Sequence, residues 1–298
     1  MTPIGVFDSG YGGLTVLDSI RSRLPEYDYL YLGDNARAPY GGRSFEVVYQ
    51  FTRQAVLKLF SMGCHLVILG CNTASAKALR TIQQHDLPLW NDSKMFSSPQ
   101  SGGQRGASKR VLGIIRPTAE IIGYKTASRH VGLLATEGTV RSESYKLEIQ
   151  KLFPDIHLTS VACPLWAPIV EAGEAASPGA DYFVKKRIDQ LLSADPKIDA
   201  VILGCTHYPI IKDIIADSAK RIIGKDIEII DSGEEAAYEI KRFLKNENLR
   251  CDNKNGNVSY FVSDETHGFR EAASLFLGEN IDEVTKIDIS EYYYKANQ

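Results

Sequence analysis

Short runs of β-branched and other apolar residues recur along the chain, and each is followed by a turn rich in Gly, Ser, Asn or Thr. Between most of these runs, apolar residues return every three or four positions. This order is typical of parallel α/β units, in which buried strands alternate with helices. The runs predict strands at 4–7, 29–32, 66–69, 111–115, 131–134, 200–203, 227–230 and 259–262.

The segment 45–62 shows the helical spacing most clearly. Its apolar residues form one stripe, made of Val47, Val48, Phe51, Ala55, Leu59 and Met62. Polar residues such as Glu46, Arg53 and Lys58 lie off that stripe. The spacing therefore predicts an amphipathic helix that packs on a sheet.

One internal repeat is visible, because the sequence VILGC at 67–71 recurs letter for letter at 201–205. Each copy continues into small polar residues or histidine. The repeat indicates two similar α/β halves that present the same strand-end element, with a site between them. A length of 298 residues also favours two domains. The polar stretch 89–110 predicts a long connecting loop.

Composition narrows the function classes. The chain is 44% hydrophobic and 24% charged. Its formal net charge is −3, so there is no excess of basic residues to attract nucleic acid. No signal peptide or membrane span is expected. The five cysteines are an odd number and widely spread, which favours free thiols over a disulfide framework. Free thiols are typical of the reducing cytoplasm.

Cys71 and Cys205 end the two repeats, so each thiol is expected at the mouth of a strand, near the start of the next helix. Free backbone amides there stabilise a thiolate. The same amides, with Asn72, Thr73 and Thr206, are placed to hold a carboxylate. An isolated cysteine is more often a small buried hydrophobe, but two copies in the same setting favour chemistry.

Other turns and residues add to this picture. The turn at 8–10 follows the first strand, and 33–35 and 39–42 are similar turns. None has the spacing of a dinucleotide or P-loop motif, so no nucleotide cofactor is expected. His207 lies two residues after Cys205, where an imidazole can poise a thiol. No paired ligand motif supports zinc. Three further cysteines are interpreted as structural: Cys64, Cys163 and Cys251.

With these residues in view, the chain resembles the glutamate racemase family over nearly its whole length. Six segments in order carry the resemblance: GVFDSGYGGLTV at 5–16, GDNARAPYG at 33–41, CNTASA at 71–76, ATEGT at 135–139, CPL at 163–165 and GCTHYP at 204–209. Asn35 departs from the small hydroxyl residue that is more usual there, and the 89–110 loop is longer than in most relatives.

The resemblance implies two flavodoxin-like three-layer domains related by a pseudo-twofold axis, with the active site in the cleft between them. The first domain is expected to cover 1–95 and 225–298, and the second 96–224. The resemblance further implies racemisation without pyridoxal phosphate, metal or other cofactor, and D-glutamate made for peptidoglycan. Expected partners are the glutamate substrate and a second copy in a homodimer, with no nucleic acid and no membrane.

Residue roles also follow from the resemblance. Cys71 and Cys205 correspond to the acid–base pair, with Cys71 acting on D-glutamate and Cys205 on L-glutamate, while Asp8 and His207 assist the thiols. A larger set corresponds to substrate-contacting residues, among which Thr136 and Thr139 contact the side-chain carboxylate of the substrate. Asp34 and Glu171 correspond to auxiliary acidic residues. The substrate contacts are Asp8, Ser9, Tyr40, Gly41, Asn72, Thr73, Thr136, Thr139, Thr206 and His207.

Three alternatives stay open from the sequence. An aspartate racemase shares the two-cysteine arrangement, although the Thr206-His207 pair resembles the glutamate enzyme. Two α/β lobes would also suit a non-catalytic amino-acid-binding protein. A redox protein could use a Cys71–Cys205 disulfide.

Overall fold

The computed structural model describes residues 2–92, 108–224, 226–246 and 256–290, and these residues form two fully parallel sheets flanked by helices. The strands of the described segments are β1 (Ile4–Asp8), β2 (Tyr29–Gly33), β3 (Leu66–Leu69), β4 (Arg110–Gly113), β5 (His130–Ala135), β6 (His157–Ala162), β7 (Ala200–Gly204), β8 (Glu228–Asp231), β9 (Val258–Val262) and β10 (Val284–Lys286). The first sheet has the strand order β10-β9-β2-β1-β3-β4 and the second β6-β5-β7-β8. The predicted α/β class with parallel sheets is confirmed.

Helices follow most strands, as parallel connections require. In the described segments they are α1 (Gly13–Arg23), α2 (Phe45–Ser61), α3 (Asn72–Lys77), α4 (Leu79–Thr81), α5 (Leu87–Asp92), α6 (Ile115–Lys125), α7 (Glu137–Arg141), α8 (Ser144–Leu152), α9 (Trp166–Glu171), α10 (Pro178–Ala194), α11 (Lys212–Ile223), α12 (Ser232–Asn246) and α13 (Thr266–Leu277). A π-helical turn (Ile82–Asp86) joins α4 to α5, and a 3₁₀ turn (Tyr208–Ile211) precedes α11.

Local sequence explains the clearest elements. All five residues of β1 are buried, because this strand lies in the middle of the first sheet. The predicted amphipathic helix is α2, which begins after Ser44, whose hydroxyl accepts a hydrogen bond from the Val47 amide. Val48, Ala55 and Leu59 of the predicted stripe are buried, whereas its other members, Val47, Phe51 and Met62, are half-buried.

The structure corrects the expected domain boundaries. Strand β4 pairs with β3 in the first sheet, although 96–224 was assigned to the second domain. Strand β8 pairs with β7 in the second sheet, although 225–298 was assigned to the first. The polar stretch suggested an early crossing, but the chain leaves the first sheet only after β4, where it runs into α6.

The predicted loop at 89–110 also differs at both ends. Residues 89–92 belong to α5, where the side chain of Trp90 packs edge-on against Phe60, and residue 110 starts β4. The buried Trp90 side chain holds this end of the segment in a helix, which the mostly polar composition of the stretch did not indicate. The remainder of that prediction, residues 93–107, lies outside the described residues, as does Cys251.

The two sheets come together at the carboxyl ends of β1, β3, β5 and β7. Helix α12 leaves the second sheet and packs against α1 of the first part of the chain and α6 of the second. Strands β9 and β10 return to the first sheet beside β2. Across the described segments, no helix is long and apolar enough to cross a membrane.

Candidate active site

The two repeated segments end on the same cavity. Strands β3 and β7 carry the repeat, and Cys71 and Cys205 follow them directly. Both thiols line a cavity of about 360 Å³ between the two sheets. Cys64, which lies outside this repeat, is instead buried in the core of the first sheet, packed beside Gly5.

Cys71 lies in a buried, weakly polar setting. It is the N-cap of α3, and its Sγ accepts from the Ala74 amide at 3.4 Å while lying 3.4 Å from Ser9 Oγ. Burial, and then the negative charge of Asp8, raises the pKa of Cys71 to about 12. This cysteine is therefore held as a neutral thiol near neutral pH.

Asp8 ends β1, which pairs with the strand that leads to Cys71, and is fully buried. Its Oδ2 accepts from the Gly10 amide at 2.8 Å, but Oδ1 has no hydrogen-bond partner among the described residues. Burial raises the pKa of Asp8, whereas the positive charge of His207 lowers it. One carboxylate oxygen thus remains available to accept a proton or a hydrogen bond within the site.

Cys205 has a different neighbour, an imidazole. His207 Nδ1 lies 3.7 Å from Cys205 Sγ, and Nε2 lies 2.8 Å from Glu171 Oε1. Burial opposes the charged imidazolium, but hydrogen bonds with Cys205 and Glu171 raise the pKa of His207 to about 10. The imidazolium places a positive charge beside the sulfur of Cys205.

A glycine turn brings the first strand end against this second group. A side chain at Gly12 would overlap Thr206 Oγ1 and the His207 ring, so only glycine fits this close approach. Nearby, Thr15 Oγ1 donates to the Thr206 carbonyl at 3.0 Å. The turn after β1 therefore contacts the loop after β7 directly.

Three threonines predicted as substrate contacts form one cluster across the two sheets. Thr73 Oγ1 lies 3.0 Å from Thr136 Oγ1, which lies 3.1 Å from Thr139 Oγ1. Close by, the Gly138 amide donates to the Gly41 carbonyl at 2.8 Å. These bonds join the loop after β2 to the start of α7 over the cavity.

Tyr40 and Asp34 form a supporting network behind the cavity. The Tyr40 hydroxyl and Arg37 Nε both donate to Asp34 Oδ2, and Ser263 Oγ donates to Asp34 Oδ1 at 2.8 Å. Burial, and then Asp34, raises the pKa of Tyr40 well above its usual value. Asp34 acts on the cavity only through Tyr40, since its own carboxylate does not line it.

Most of the predicted site residues line the cavity, and three do not. The predicted residues that line it are Ser9, Tyr40, Gly41, Cys71, Asn72, Thr73, Thr136, Glu171, Cys205, Thr206 and His207. Asp8, Asp34 and Thr139 lie behind this lining and contact it through their neighbours.

The cavity also includes residues that sequence reasoning left out of the site. Cys163, interpreted as structural, lines it together with Pro164, Ala167 and Glu137. Cys163 follows β6 directly, and the CPL motif at 163–165 was the signal that pointed to it. Its Sγ contacts the Val161 carbonyl at 3.7 Å, and burial raises its pKa strongly, so it is an inert thiol. In the described part of the chain, no group of three His, Cys, Asp or Glu side chains is arranged to hold a metal ion.

Comparison with known proteins agrees with this geometry. Residues 14–240 match the Asp/Glu/Hydantoin racemase family model. The glutamate racemase of Geobacter metallireducens is 36% identical over 287 residues, which cover 96% of each chain. The crystal structure of a Bacillus anthracis glutamate racemase has a TM-score of 0.81 at 32% identity, over 96% of this chain and 97% of that one. That of the Francisella tularensis enzyme, in complex with D-glutamate, has a TM-score of 0.79 at 29% identity, over 98% and 99%. By its sequence and its structure, this chain belongs to the Asp/Glu/hydantoin racemase family.

Proposed function

We propose that this chain is a glutamate racemase that interconverts L- and D-glutamate by moving the α-proton between Cys71 and Cys205. One observation carries the proposal: two buried thiols, each at the end of a strand with the same sequence, line one cavity of about 360 Å³. The names of its relatives from Geobacter metallireducens and Bacillus anthracis support glutamate as the substrate, and the D-glutamate in the Francisella tularensis structure adds to that support.

Inversion at the α-carbon needs a proton removed from one face and another delivered to the opposite face. With L-glutamate bound, the Cys205 thiolate takes the α-proton and the Cys71 thiol donates its own proton to the other face. The product is D-glutamate, with Cys205 now a thiol and Cys71 a thiolate. The reverse reaction starts from that second state, so each direction uses both sulfurs.

The neighbours of each sulfur support the resetting step. The charged His207, held by Glu171, stabilises the Cys205 thiolate. Asp8 Oδ1 can accept a proton beside Cys71, because burial raises the pKa of this carboxyl. In the resetting step, the Cys205 thiol releases its proton to water, and Asp8 passes a proton taken from water to the Cys71 thiolate, so one proton leaves the site and one enters it.

The remaining polar groups supply substrate contacts in this proposal. The backbone amides after Cys71 and Cys205 and the Ser9 hydroxyl bind the α-carboxylate and α-amino group. Thr136, with Thr139 behind it, receives the side-chain carboxylate. An aspartate racemase is the second candidate, because the matching family includes aspartate as well as glutamate racemases. The two candidates differ in reach: the side-chain carboxylate of aspartate would extend one methylene less far toward Thr136.

The direct test follows the circular dichroism of L- and D-glutamate with purified protein, EDTA and no added pyridoxal phosphate. We expect both enantiomers to lose signal toward the racemate. Because enantiomers have equal free energies, kcat/KM must be the same in both directions. Loss of activity in EDTA with recovery on adding zinc would refute the cofactor-free mechanism, and faster turnover of aspartate would favour the second candidate.

A half-reaction tests the assignment of the two thiols. Glutamate with chlorine on the β-carbon needs only one base: the thiolate takes the α-proton, the electron pair forms the Cα–Cβ double bond, and chloride leaves. Water then converts the enamine to a 2-oxo acid and ammonia. Cys205→Ala keeps Cys71 and should still eliminate chloride from the D-configured analogue. Cys71→Ala keeps Cys205 and should still eliminate chloride from the L-configured analogue.

Each alanine variant should lower racemisation by at least about a thousandfold, within the range for loss of an acid–base group. Cys64→Ala is the control, since it removes an equally buried thiol that does not line the cavity. If both cavity variants process both analogues equally, the two-thiol assignment is wrong.

We also propose that the D-glutamate serves peptidoglycan synthesis in the cytoplasm. The four cysteines of the described segments, Cys64, Cys71, Cys163 and Cys205, are free, which suits a reducing compartment. Depletion of the protein in its host should then stop growth unless D-glutamate is supplied, and rescue by L-glutamate alone would contradict this role. The homodimer stays a prediction, which light scattering of the purified protein would test.

A further inference from the structure

A chain of hydrogen bonds runs behind the cavity and joins the two cysteine-bearing strand ends. Asn72, the residue after Cys71, donates from Nδ2 to Ser232 Oγ at 3.2 Å. Ser232 Oγ in turn donates to the carbonyl of Leu203 at 3.1 Å, two residues before Cys205. The Tyr145 hydroxyl donates to Asn72 Oδ1 at 2.7 Å. We call Asn72, Ser232, Tyr145 and the Leu203 carbonyl the Asn72 bridge.

The Asn72 bridge is closed to water. The exposed fraction is 2% for Asn72, 2% for Ser232 and 1% for Tyr145. Buried hydrogen bonds of this kind are costly to break, because a group that loses its partner finds no water to replace it. Both ends of the Asn72 amide are bonded to protein, so its orientation is fixed.

The members of the bridge come from elements that the fold brings together only here. Asn72 begins α3, directly after the first sheet's β3. The other three belong to the second half: Leu203 to β7, Ser232 to the start of α12 and Tyr145 to α8. The bridge therefore fixes the end of β3 against the end of β7, which are the two places that carry the reactive thiols.

Neither Ser232 nor Tyr145 lines the cavity, so neither side chain contacts the substrate. Racemisation nevertheless depends on their geometry. Two sulfurs must face opposite sides of one carbon, each at about 3–3.5 Å from it, and a shift of about 1 Å can cost about a hundredfold in rate. A reaction that uses a single sulfur does not depend on the distance between the two.

We propose that Ser232 and Tyr145 are positioning residues, which act through Asn72 to set the separation of Cys71 and Cys205. The proposal rests on the two-thiol mechanism above. It assigns to these two hydroxyl groups a role in coordinating the thiols, distinct from binding glutamate.

The test compares racemisation with the one-base elimination in Ser232→Ala and Tyr145→Phe. We expect kcat for racemisation to fall about tenfold in both directions. Elimination of chloride from the D- and L-configured β-chloro analogues should stay within about twofold of wild type. The double variant should be no slower than about twice the more affected single variant, since both hydroxyls act through Asn72.

Two controls separate this role from general destabilisation. Thr52→Ala removes another buried hydroxyl, bonded to the Val48 carbonyl within α2 and outside the cavity, and should leave both reactions unchanged. Tyr145→Phe keeps the ring and its packing, so it tests the bridge even where Ser232→Ala folds poorly. Thermal unfolding identifies such a variant.

Three results would overturn the proposal. Racemisation at the wild-type rate in Tyr145→Phe would show that the bridge does not set the thiol geometry. A proportional fall of racemisation and elimination would assign these residues to stability or substrate binding. If Cys71→Ala and Cys205→Ala, with the bridge intact, each process both analogues, the two-thiol mechanism itself fails and the bridge proposal fails with it.

Discussion

The two halves of the site begin from the same five residues and end in different chemical settings. The sequence VILGC leads to Cys71 in one half and to Cys205 in the other. Cys71 is buried, and burial and the negative charge of Asp8 raise its pKa to about 12. Cys205 lies 3.7 Å from His207, which Glu171 helps keep charged. A repeated segment thus places both sulfurs, while the surrounding elements give each sulfur a different neighbour.

This asymmetry gives the two sulfurs different neighbours for the two roles that the proposed mechanism assigns to them. In that mechanism, a thiol at Cys71 and a thiolate at Cys205 are together the state that accepts L-glutamate. A symmetric site would have two thiols or two thiolates, and neither pair can both take a proton and give one. The unlike neighbours of the two sulfurs suit this division of roles.

Among changes to the neighbours of the two thiols, the largest expected effect comes from removing the charged partner of Cys205. In His207→Asn, elimination from the L-configured β-chloro analogue should fall about a hundredfold, because no imidazolium remains to favour the thiolate. Elimination from the D-configured analogue should stay within about threefold. His267→Asn is the matched control, since His267 also neighbours a glutamate, Glu271 at 3.7 Å, on a surface helix. Equal losses with both analogues would remove the distinction between the two sides.

The mirror change acts on Cys71. Asp8→Asn removes the negative charge that raises the pKa of Cys71, so this thiol should ionise at lower pH, by about one unit. The measurement is the pH dependence of iodoacetamide labelling at Cys71, followed by peptide mass spectrometry in the Cys205→Ala background. Asp18→Asn, at a half-exposed surface position, should leave the profile unchanged. A shift to higher pH would contradict the assigned electrostatics.

A smaller effect is expected from Glu171→Gln, which weakens the support for His207 without removing the imidazole. Elimination from the L-configured analogue should fall about fivefold, less than in His207→Asn, because Glu171 is partly solvated and its charge is screened. Glu271→Gln is the matched surface control. No change in Glu171→Gln would show that Cys205 alone maintains the imidazolium.

The same pair predicts how stability depends on pH. Folding raises the pKa of His207 from 6.5 to about 10, so the folded state holds this proton more tightly than the unfolded chain. The resulting stabilisation is complete below pH 6.5 and is lost as the pH rises through about 10. In His207→Asn the Tm should therefore fall less than in wild type between neutral and strongly alkaline pH, as calorimetry would show.

Burial decides how far the sequence predicts the fold. All eight runs chosen for their apolar content overlap strands. Six of these are inner strands of a parallel sheet, which are covered on both faces and need continuous apolar residues. The other two, β4 and β8, lie at sheet edges but still carry mostly apolar runs. Strands β6 and β10 were missed. Both lie at sheet edges, and β6 exposes residues such as His157 and Ser160, so neither has a continuous apolar run.

The sequence likewise predicts only part of the site. The repeat pointed to Cys71 and Cys205 since the signal lies within five residues. Other parts of the site come from distant elements: Glu171, which bonds His207, lies in α9, and Ser232 of the Asn72 bridge lies in α12. Local spacing cannot reveal such contacts, because they depend on how the two sheets pack. The resemblance supplied Glu171, and nothing in the sequence marked Ser232 or Tyr145.

The smallest effect is expected from the polar segment 93–107, to which the sequence assigns no residue of the site. Its Ser- and Gly-rich composition lacks the apolar area needed to form a core of its own. Replacing it by a short Gly/Ser linker that still spans Asp92 to Ser108 should keep turnover of D-glutamate within about twofold, and elimination from the two analogues should change equally. Helix α5 stays intact in this variant, since Trp90 is buried against Phe60. A loss confined to one analogue would place part of this segment at one thiol, and complete loss in a folded protein would show that both strand ends depend on it.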